Sequence, residues 1–293
     1  MSWQSAAKVY ADSVTNLLQT ALDEYPNLPG NLKEAMTYSL FAGGKRVRPF
    51  LVLAIGEMFK VPEDKLLTYA AALECVHTYS LIHDDLPAMD DDHLRRGKPT
   101  CHVIYGEATA ILAGDALQTL AFELISHSDS LRATEALQAI KVLSRASGLA
   151  GMCGGQAVDL HQAGKHTDKQ ALEQMHRMKT GALLNASIMY PGHLASLTKA
   201  QHLQLQQFAD AVGLGFQVMD DILDVEGDTA QLGKPQGSDA EAEKSTYPVL
   251  MGLEGAKEYL QQLHNEATQA LQSLPYNSET LLSFTDYLFS RNH

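Results

Sequence analysis

Apolar residues recur three and four positions apart through most of the chain, as in "AAKVYADSVTNLLQTALDEY" (6–25), while the period-two alternation of strands is scarce. This periodicity predicts helices over about 6–25, 31–41, 48–59, 64–83, 104–125, 131–150, 168–190, 199–225, 246–273 and 278–290, an all-α fold. Segments rich in glycine, proline and polar residues separate them: "YPNLPGN" (25–31), "VPEDK" (61–65), "GKPT" (97–100), "YPGH" (190–193) and "GDTAQLGKPQGSDAEAEK" (227–244). Only the last is long, a length that marks a functional or mobile loop. With no dividing linker, low-complexity tract or solenoid repeat, residues 1–293 are expected to form a single domain.

Composition narrows the setting. A hydrophobic share of 45% over 293 residues is enough for a sizeable core. No run approaches the ~18 consecutive apolar residues of a membrane span. The start "MSWQSAAKVYADS" lacks the basic and apolar regions of a signal peptide, so the cytoplasm is the expected compartment. Cys75, Cys101 and Cys153 are too few and too scattered for a disulfide framework or a zinc knuckle, and are expected as reduced thiols. A formal charge of −13 argues against nucleic acid or an anionic membrane as partner.

The acid is concentrated. Residues 84–92 and 220–228 hold ten of the 35 Asp and Glu, where an even spread would place about two. The first cluster follows the helix predicted over 64–83, so Asp84 and Asp85 sit at a helix C-terminus. The partial negative charge there disfavours each carboxylate by a few tenths to ~1 kcal/mol. Asp90, Asp91 and Asp92 add repulsion, so the segment is either a solvated acidic loop or needs a cationic partner. In "GLGFQVMDDILDVEGD" (213–228), Asp220 and Asp224 share one helix face, Asp221 lies beside them and apolar residues surround all three.

Aspartates without nearby Cys or His ligand spacing suit a hard, oxygen-seeking ion, Mg²⁺ rather than Zn²⁺. The first cluster also lacks the D-x-D-x-D-G pattern of an EF-hand. Mg²⁺ is usually held by one or two carboxylates plus substrate phosphates, so two facing clusters suggest a phosphate-bearing ligand clamped through ions. The basic residues Lys45, Arg46 and Arg48 in "GGKRVRP", Arg95 and Arg96, Arg177 and Lys179 in "HRMKTG", and Lys234 and Lys244 are few and lie near the acidic stretches. A diphosphate against bare carboxylates would be repelled by about 4 kcal/mol per unit-charge pair at ~4 Å with an effective dielectric of 20, so cations must intervene. The plainer alternatives are that Arg95 and Arg96 pair with Asp90 to Asp92 and that Lys45 to Arg48 form a surface patch at a helix start.

"DDLPAMD" (84–90), "LRRGKPT" (94–100) and "DDILD" (220–224) preceded by "GFQ" (215–217) resemble the two aspartate-rich motifs of the trans-isoprenyl diphosphate synthases. "GGKRVRP" (43–49), "GQAVDL" (155–160), "KTG" (179–181) and "EKSTYP" (243–248) extend that resemblance, in order, over nearly the whole chain. It implies an all-α bundle of antiparallel helices around a deep central cavity, usually in a homodimer. It also implies a condensation of isopentenyl diphosphate with dimethylallyl and then geranyl diphosphate.

By the same resemblance, Asp84 and Asp90, with Asp85 in support, hold two Mg²⁺ ions. Asp220 holds a third, flanked by Asp221 and Asp224, with Mn²⁺ as the alternative metal. Arg95, Lys179, Lys234 and Lys244 contact the allylic diphosphate. Lys45, Arg48, His77 and Arg96 bind isopentenyl diphosphate, and Thr180 and Gln217 face the developing allylic cation. Gln156 and Asp159 fall in a motif that lines the cavity. The released pyrophosphate takes the final proton, so His83, His93 and His102 are expected to be structural and His77 to touch substrate.

Ser80 and Tyr79 lie about 6 and 7.5 Å below Asp84 at 1.5 Å per residue, Ser80 on the Asp84 face and Tyr79 rotated from it. In the family, bulk here together with the two extra residues in "DDLPAMD" limits growth at fifteen carbons. The alternatives are a ten- or twenty-carbon product, with Tyr79 simply packing between helices. Among other classes, a terpene cyclase would not need the second diphosphate site implied by "GGKRVRP", His77 and "LRR". A phosphohydrolase with an "HDD" dyad would need further His ligands, and a non-catalytic subunit would have eroded aspartate motifs.

Overall fold

The computed structural model describes residues 2–26, 30–162, 164–165, 167–226 and 245–291. The long loop expected over 227–244, with Lys234 and Lys244, lies outside the described residues. Helices dominate as the apolar periodicity predicts. Ser2 accepts from the Ser5 N–H at 3.3 Å and caps α1 (Trp3–Asp23), whose Ala6, Tyr10, Val14 and Leu18 are buried at helical spacing. α2 (Leu32–Leu40) and α3 (Val47–Met58) follow, the latter entered through Arg46 at φ 48°. α4 (Glu63–Asp84) is buried on nearly every side, which places it at the centre of the bundle against α3 and α6.

A two-residue hairpin joins α4 to the next helices: β1 (Leu94–Arg95) pairs antiparallel with β2 (Lys98–Pro99). Its turn residues Arg96 and Gly97 both take positive φ, 54° and 72°, as a type I′ turn requires. Arg95 therefore sits in a strand and Arg96 at the turn, so two adjacent arginines leave the backbone differently. α5 (Cys101–Tyr105) and α6 (Glu107–Ser126) divide at Gly106 what the periodicity presents as one helix. α7 (Ala133–Ser147) is closed at its start by Glu135, which accepts from the Arg132 N–H at 2.9 Å.

α8 (Met152–Gln162) has no counterpart among the predicted helices. Two glycines in "MCGGQAVDLHQ" weigh against helix, but Gly155 has a packing reason. A Cβ there would lie 2.2 Å from the Lys179 backbone nitrogen, so only glycine lets α8 approach this closely. The helix predicted over 168–190 resolves into α9 (Lys169–His176), a π-helical turn (Arg177–Gly181) and α10 (Ala182–Leu194). "YPGH" (190–193) is not a break: Pro191 sits near the end of α10, where the backbone bond it removes is one of the last of the helix.

α11 (Lys199–Glu226) is the longest element at 28 residues, and α12 (Tyr247–Gln272) packs along it with a kink at Gly252. α13 (Glu279–Ser290) returns to α1 and α3 through an aromatic cluster in which Phe284 meets Trp3 at 5.5 Å and Phe50 at 4.5 Å. Tyr69 of α4 stacks on Tyr190 of α10 at 3.8 Å deep in the core. One contiguous set of buried apolar residues runs through these helices, and the end of α4 opens from it into a large cavity.

Candidate active site

A cavity of about 1200 Å³ is lined by Asp84 at the end of α4 and by Asp220 from α11, so the two acidic clusters meet across one space. Lys45, Arg48, His77, Arg95, Arg96, Lys179 and Thr180 line it as well. The cations expected from three separated stretches of sequence, 43–49, 94–96 and 177–181, therefore share a wall with the carboxylates.

The anions at the α4 terminus have the cationic partner that the helix dipole calls for. Arg95 Nε donates to both Asp85 oxygens, at 2.8 and 3.0 Å, and its Nη2 donates to Asp85 Oδ1 at 2.5 Å. Asp85 is buried, and burial pushes its carboxyl up while the Arg95 bonds pull it down. Arg95 also meets Asp92 at 3.4 Å, so its pairing is chiefly with Asp85 and only secondarily with the 90–92 run. Asp84 is different: burial pushes it up to about 6, Asp90 adds to the rise, and Lys179 and Arg95 oppose it. Asp90 is exposed, its N–H donating to the Asp84 carbonyl at 2.9 Å. Asp91 and Asp92 are also exposed, and the Asp92 carbonyl accepts from Thr100 at 2.7 Å.

"GGKRVRP" forms a seat for Arg96. The Arg96 guanidinium donates to the Gly43 carbonyl, and a Cβ on Gly44, at φ 123°, would lie 2.4 Å from Arg96 Nη1. Burial lowers Arg96 and also lowers Arg48, the latter to about 10, while Glu74 works against both effects. Desolvation and the surrounding arginines hold His77 neutral, and Arg48 Nη1 lies 3.3 Å from His77 Nε2, which then accepts. Lys45 is lowered by burial and by Arg291, against the pull of Asp220.

The π turn aims Lys179 and Thr180 at the cavity, since one extra residue per turn rotates the side chains that follow. Lys179 donates to Asp159 at 2.6 Å, and although burial alone would lower it, Asp159 together with Asp84 and Asp90 raises the lysine. Thr180 Oγ1 donates to Gln217 Oε1 at 3.1 Å. Gln217 itself lines a second space of about 100 Å³ behind Lys179, together with Asp221 and His176, the last held by burial at about 4.

The three aspartates of "DDILD" go three ways. Asp220 lines the large cavity and pairs with Arg291 at 2.5 Å. Asp221 is 2% exposed and accepts from Gln217 Nε2 and from the Tyr247 N–H, both at 3.0 Å. Asp224 is buried and lies outside the lining of both spaces.

Tyr79 and Ser80 line the large cavity below Asp84 as the helix rise predicts. The Tyr79 hydroxyl meets Cys153 Sγ of α8 at 3.3 Å, and Ser80 donates back to the His77 carbonyl at 2.8 Å. Cys153 is exposed, whereas Cys75 and Cys101 are buried, and all three are free thiols. His83 Nε2 lies 3.0 Å from the Ile111 carbonyl and His102 Nδ1 3.2 Å from Thr100 Oγ1, both structural contacts.

Three participants had little signal in the sequence. Glu74 pairs with Arg46 behind the cationic wall, and a lone acid on the apolar helix "AAALECVHTY" was the only hint. Arg291 sits in a short polar terminus that no pattern marks. Cys153 belongs to the helix that its glycines hide.

The residues fit diphosphates and an oxygen-seeking cation. Arg48 Nε and both amide atoms of Gln156 are buried without a hydrogen-bond partner among the described residues, and both side chains line the cavity. Unpaired donors of this kind favour an anionic ligand. No group of three or more His, Cys, Asp or Glu able to hold a metal ion occurs among the described residues. The carboxylates that line the cavity, Asp84 and Asp220, suit Mg²⁺ that takes its remaining ligands from phosphate and water.

The polyprenyl synthetase family matches residues 29–279. A farnesyl diphosphate synthase of Escherichia coli is 53% identical over 266 residues, 88% of this chain and 89% of that one. A chloroplastic geranylgeranyl pyrophosphate synthase of Capsicum annuum is 42% identical over 98% of this chain and 79% of its own. Among solved structures, a geranyltransferase of Helicobacter pylori complexed with magnesium and isoprenyl diphosphate has a TM-score of 0.81 at 33% identity, covering 97% of this chain and 96% of that one.

Proposed function

The chain belongs to the polyprenyl synthetase family, and from that premise we propose that it condenses isopentenyl diphosphate with dimethylallyl and then geranyl diphosphate, releasing diphosphate and yielding farnesyl diphosphate. The observation that carries this reading is the single cavity of about 1200 Å³ in which Asp84 and Asp220 face Lys179, Arg48 and Arg96. Two diphosphates and their counter-cations need such a space, and a one-substrate cyclase does not need the Arg48, His77 and Arg96 group.

Asp84, Asp90 and Asp220 are the candidate ligands for divalent cations, up to three with substrate bound. When present, these cations would neutralise the diphosphate oxygens as they leave. Asp85 serves by fixing Arg95 against the allylic diphosphate, where Lys179 adds a second charge; Lys234 and Lys244 of the 227–244 segment complete the set. The allylic C–O bond breaks with its electron pair going to the diphosphate. The isopentenyl double bond then attacks the cation, and the pyrophosphate takes the proton lost from the adduct. Fixed cations aimed at the departing charge supply the stabilisation, so no protein nucleophile is needed.

Lys45, Arg48, His77 and Arg96 hold isopentenyl diphosphate, the neutral His77 accepting from Arg48 and so fixing its orientation. Tyr79, tied to Cys153, forms the floor that stops growth at fifteen carbons. A second copy of the chain would cover the exposed apolar residues Val103, Ile104, Ile111 and Leu112. The last two belong to α6, which is long and apolar enough to cross a membrane but packs on α4 and α2.

The test is incubation with labelled isopentenyl diphosphate plus dimethylallyl or geranyl diphosphate, with and without Mg²⁺, and identification of the alcohols after dephosphorylation. Metal-dependent farnesol is expected. Absence of condensation with both primers would overturn the reading.

A further inference from the structure

Two hydrogen bonds, both donated toward Asp221, link this buried residue to the cavity wall, and a third anchors it from behind. Tyr247 N–H donates to Asp221 Oδ2 and Gln217 Nε2 to Asp221 Oδ1, each at 3.0 Å, and Thr180 Oγ1 donates to Gln217 Oε1 at 3.1 Å. The direction follows from geometry, because both Asp221 oxygens accept, one from the Tyr247 backbone N–H, which can only donate. The Gln217 edge facing Asp221 must therefore be its NH₂, and the edge facing Thr180 must be its carbonyl. That carbonyl takes the Thr180 hydroxyl proton. The lone pairs of the Thr180 oxygen are then left toward the large cavity that Thr180 lines, while Gln217 and Asp221 line only the smaller space behind it.

We infer that Asp221 is a positioning residue which, through Gln217, polarises Thr180 so that its oxygen rather than its proton faces the developing allylic cation. The inference rests on the proposed condensation and departs from the sequence expectation that Asp221 flanks a metal ion. Two features set Asp221 apart from Asp220: its burial behind the wall, and the anchoring of both oxygens at the start of α12 and on α11. A relay of this kind is preorganised, since none of its members must rotate as charge develops. It also ties the Thr180 hydroxyl to the junction of α11 and α12.

The test separates charge from shape and from metal. Two ligands are compared by calorimetry in the presence of Mg²⁺: a non-ionising allylic thiolodiphosphate, and an analogue of similar shape with an ammonium centre in place of the reacting carbon. In Asp221→Asn the new amide presents N–H to Gln217, which must turn its carbonyl inward and reverse the Thr180 hydroxyl. Affinity for the ammonium analogue is expected to fall tenfold or more, while the neutral analogue and the half-saturating Mg²⁺ concentration stay within about twofold. Should Asp221→Asn fail to fold, Gln217→Met cuts the relay while leaving the Tyr247 anchor, and the same selective loss is expected.

In a Thr180→Val background either substitution should have no further effect on the preference for the cation, as expected of residues acting through one group. Equal losses for both analogues, a tenfold rise in half-saturating Mg²⁺, or an unchanged preference in Gln217→Met would each overturn the relay. Wild-type protein that makes farnesyl diphosphate while its variants show no selective loss refutes only the relay; wild-type protein that condenses nothing refutes the function beneath it.

Discussion

Glu74 is the countercharge behind the proposed isopentenyl diphosphate site, and Glu74→Gln tests how that cationic wall is kept folded. Its carboxylate pairs with Arg46, with only 4% and 10% of the two side chains exposed. Arg46 also donates to the Leu40 carbonyl and holds a left-handed φ of 48° at the start of α3. The charge of Glu74 further opposes the lowering of Arg48 and Arg96. Glutamine keeps the shape and one acceptor but leaves the arginines without this anion, and removing one partner of a buried pair costs about 3–5 kcal/mol. Against a total stability of ~5–15 kcal/mol this is a large fraction. With a urea slope near 3 kcal/mol per molar, the midpoint should fall by roughly 1–1.7 M.

Ligand sharpens the test. An anion at 100 times its dissociation constant stabilises the wild type by ~2.7 kcal/mol. In Glu74→Gln the same pyrophosphate concentration should raise the midpoint by more, because the anion then supplies the missing charge. Urea unfolding followed by circular dichroism, with and without pyrophosphate, reads both effects. A loss below ~1 kcal/mol, or an equal ligand-induced rise in both proteins, would refute the reasoning.

Tyr79→Ala should open the cavity floor below Asp84 and shift labelled products toward twenty carbons, and a profile that stays entirely at fifteen would remove Tyr79 as the stop. Gly44→Ala strains a backbone at φ 123° and displaces the Arg96 guanidinium, so KM for isopentenyl diphosphate should rise severalfold with KM for geranyl diphosphate little changed. Glu135 is held at about 2 chiefly by its bond to Arg132, below the ~4.3 of an unfolded chain. Its stabilisation is therefore complete above about pH 4.3 and is lost as pH falls toward about 2. Because Arg132 is 77% exposed, solvent screens the pair and the effect is small. The stability gap between wild type and Glu135→Gln should accordingly be widest at pH 7 and close in acid.

The fold was legible where helices are amphipathic or apolar throughout, and illegible where backbone contact overrides propensity. α8 escaped notice because the glycine that lowers its helix propensity is the one that lets it touch Lys179. The π turn was equally hidden, since its residues "RMKTG" continue the periodicity of their neighbours. At the site, residue type and order located the two acidic clusters and the cationic stretches, and the structure brings Asp84, Asp220, Lys179, Arg48 and Arg96 to one cavity. Helical spacing could not distinguish the roles of Asp220, Asp221 and Asp224. Sharing a face predicts a shared direction, but a rise of about 6 Å over four residues carries Asp224 beyond the cavity lining. Asp221 points instead to Tyr247, a partner remote in sequence.

The cavity wall also explains how so many like charges coexist before substrate arrives. Arg95 rests on Asp85, Lys179 on Asp159, Arg291 on Asp220 and Arg46 on Glu74, so each of these cations has its own anion. On the proposed reading, a diphosphate arriving with its cations would exchange partners with these pairs rather than create bare charges, Arg291 releasing Asp220 and Lys179 releasing Asp159 while Asp85 keeps Arg95 in place. Exchange between prepaired groups avoids most of the cost of desolvating bare ions and leaves little side-chain freedom to lose on binding. Asp84 stands apart, since burial and Asp90 raise it to about 6 while Lys179 and Arg95 only partly compensate. A carboxylate that burial disfavours as an anion stands to gain from an added positive charge, so on the proposed reading Asp84 is a point where binding of a divalent cation and reorganisation of the wall meet.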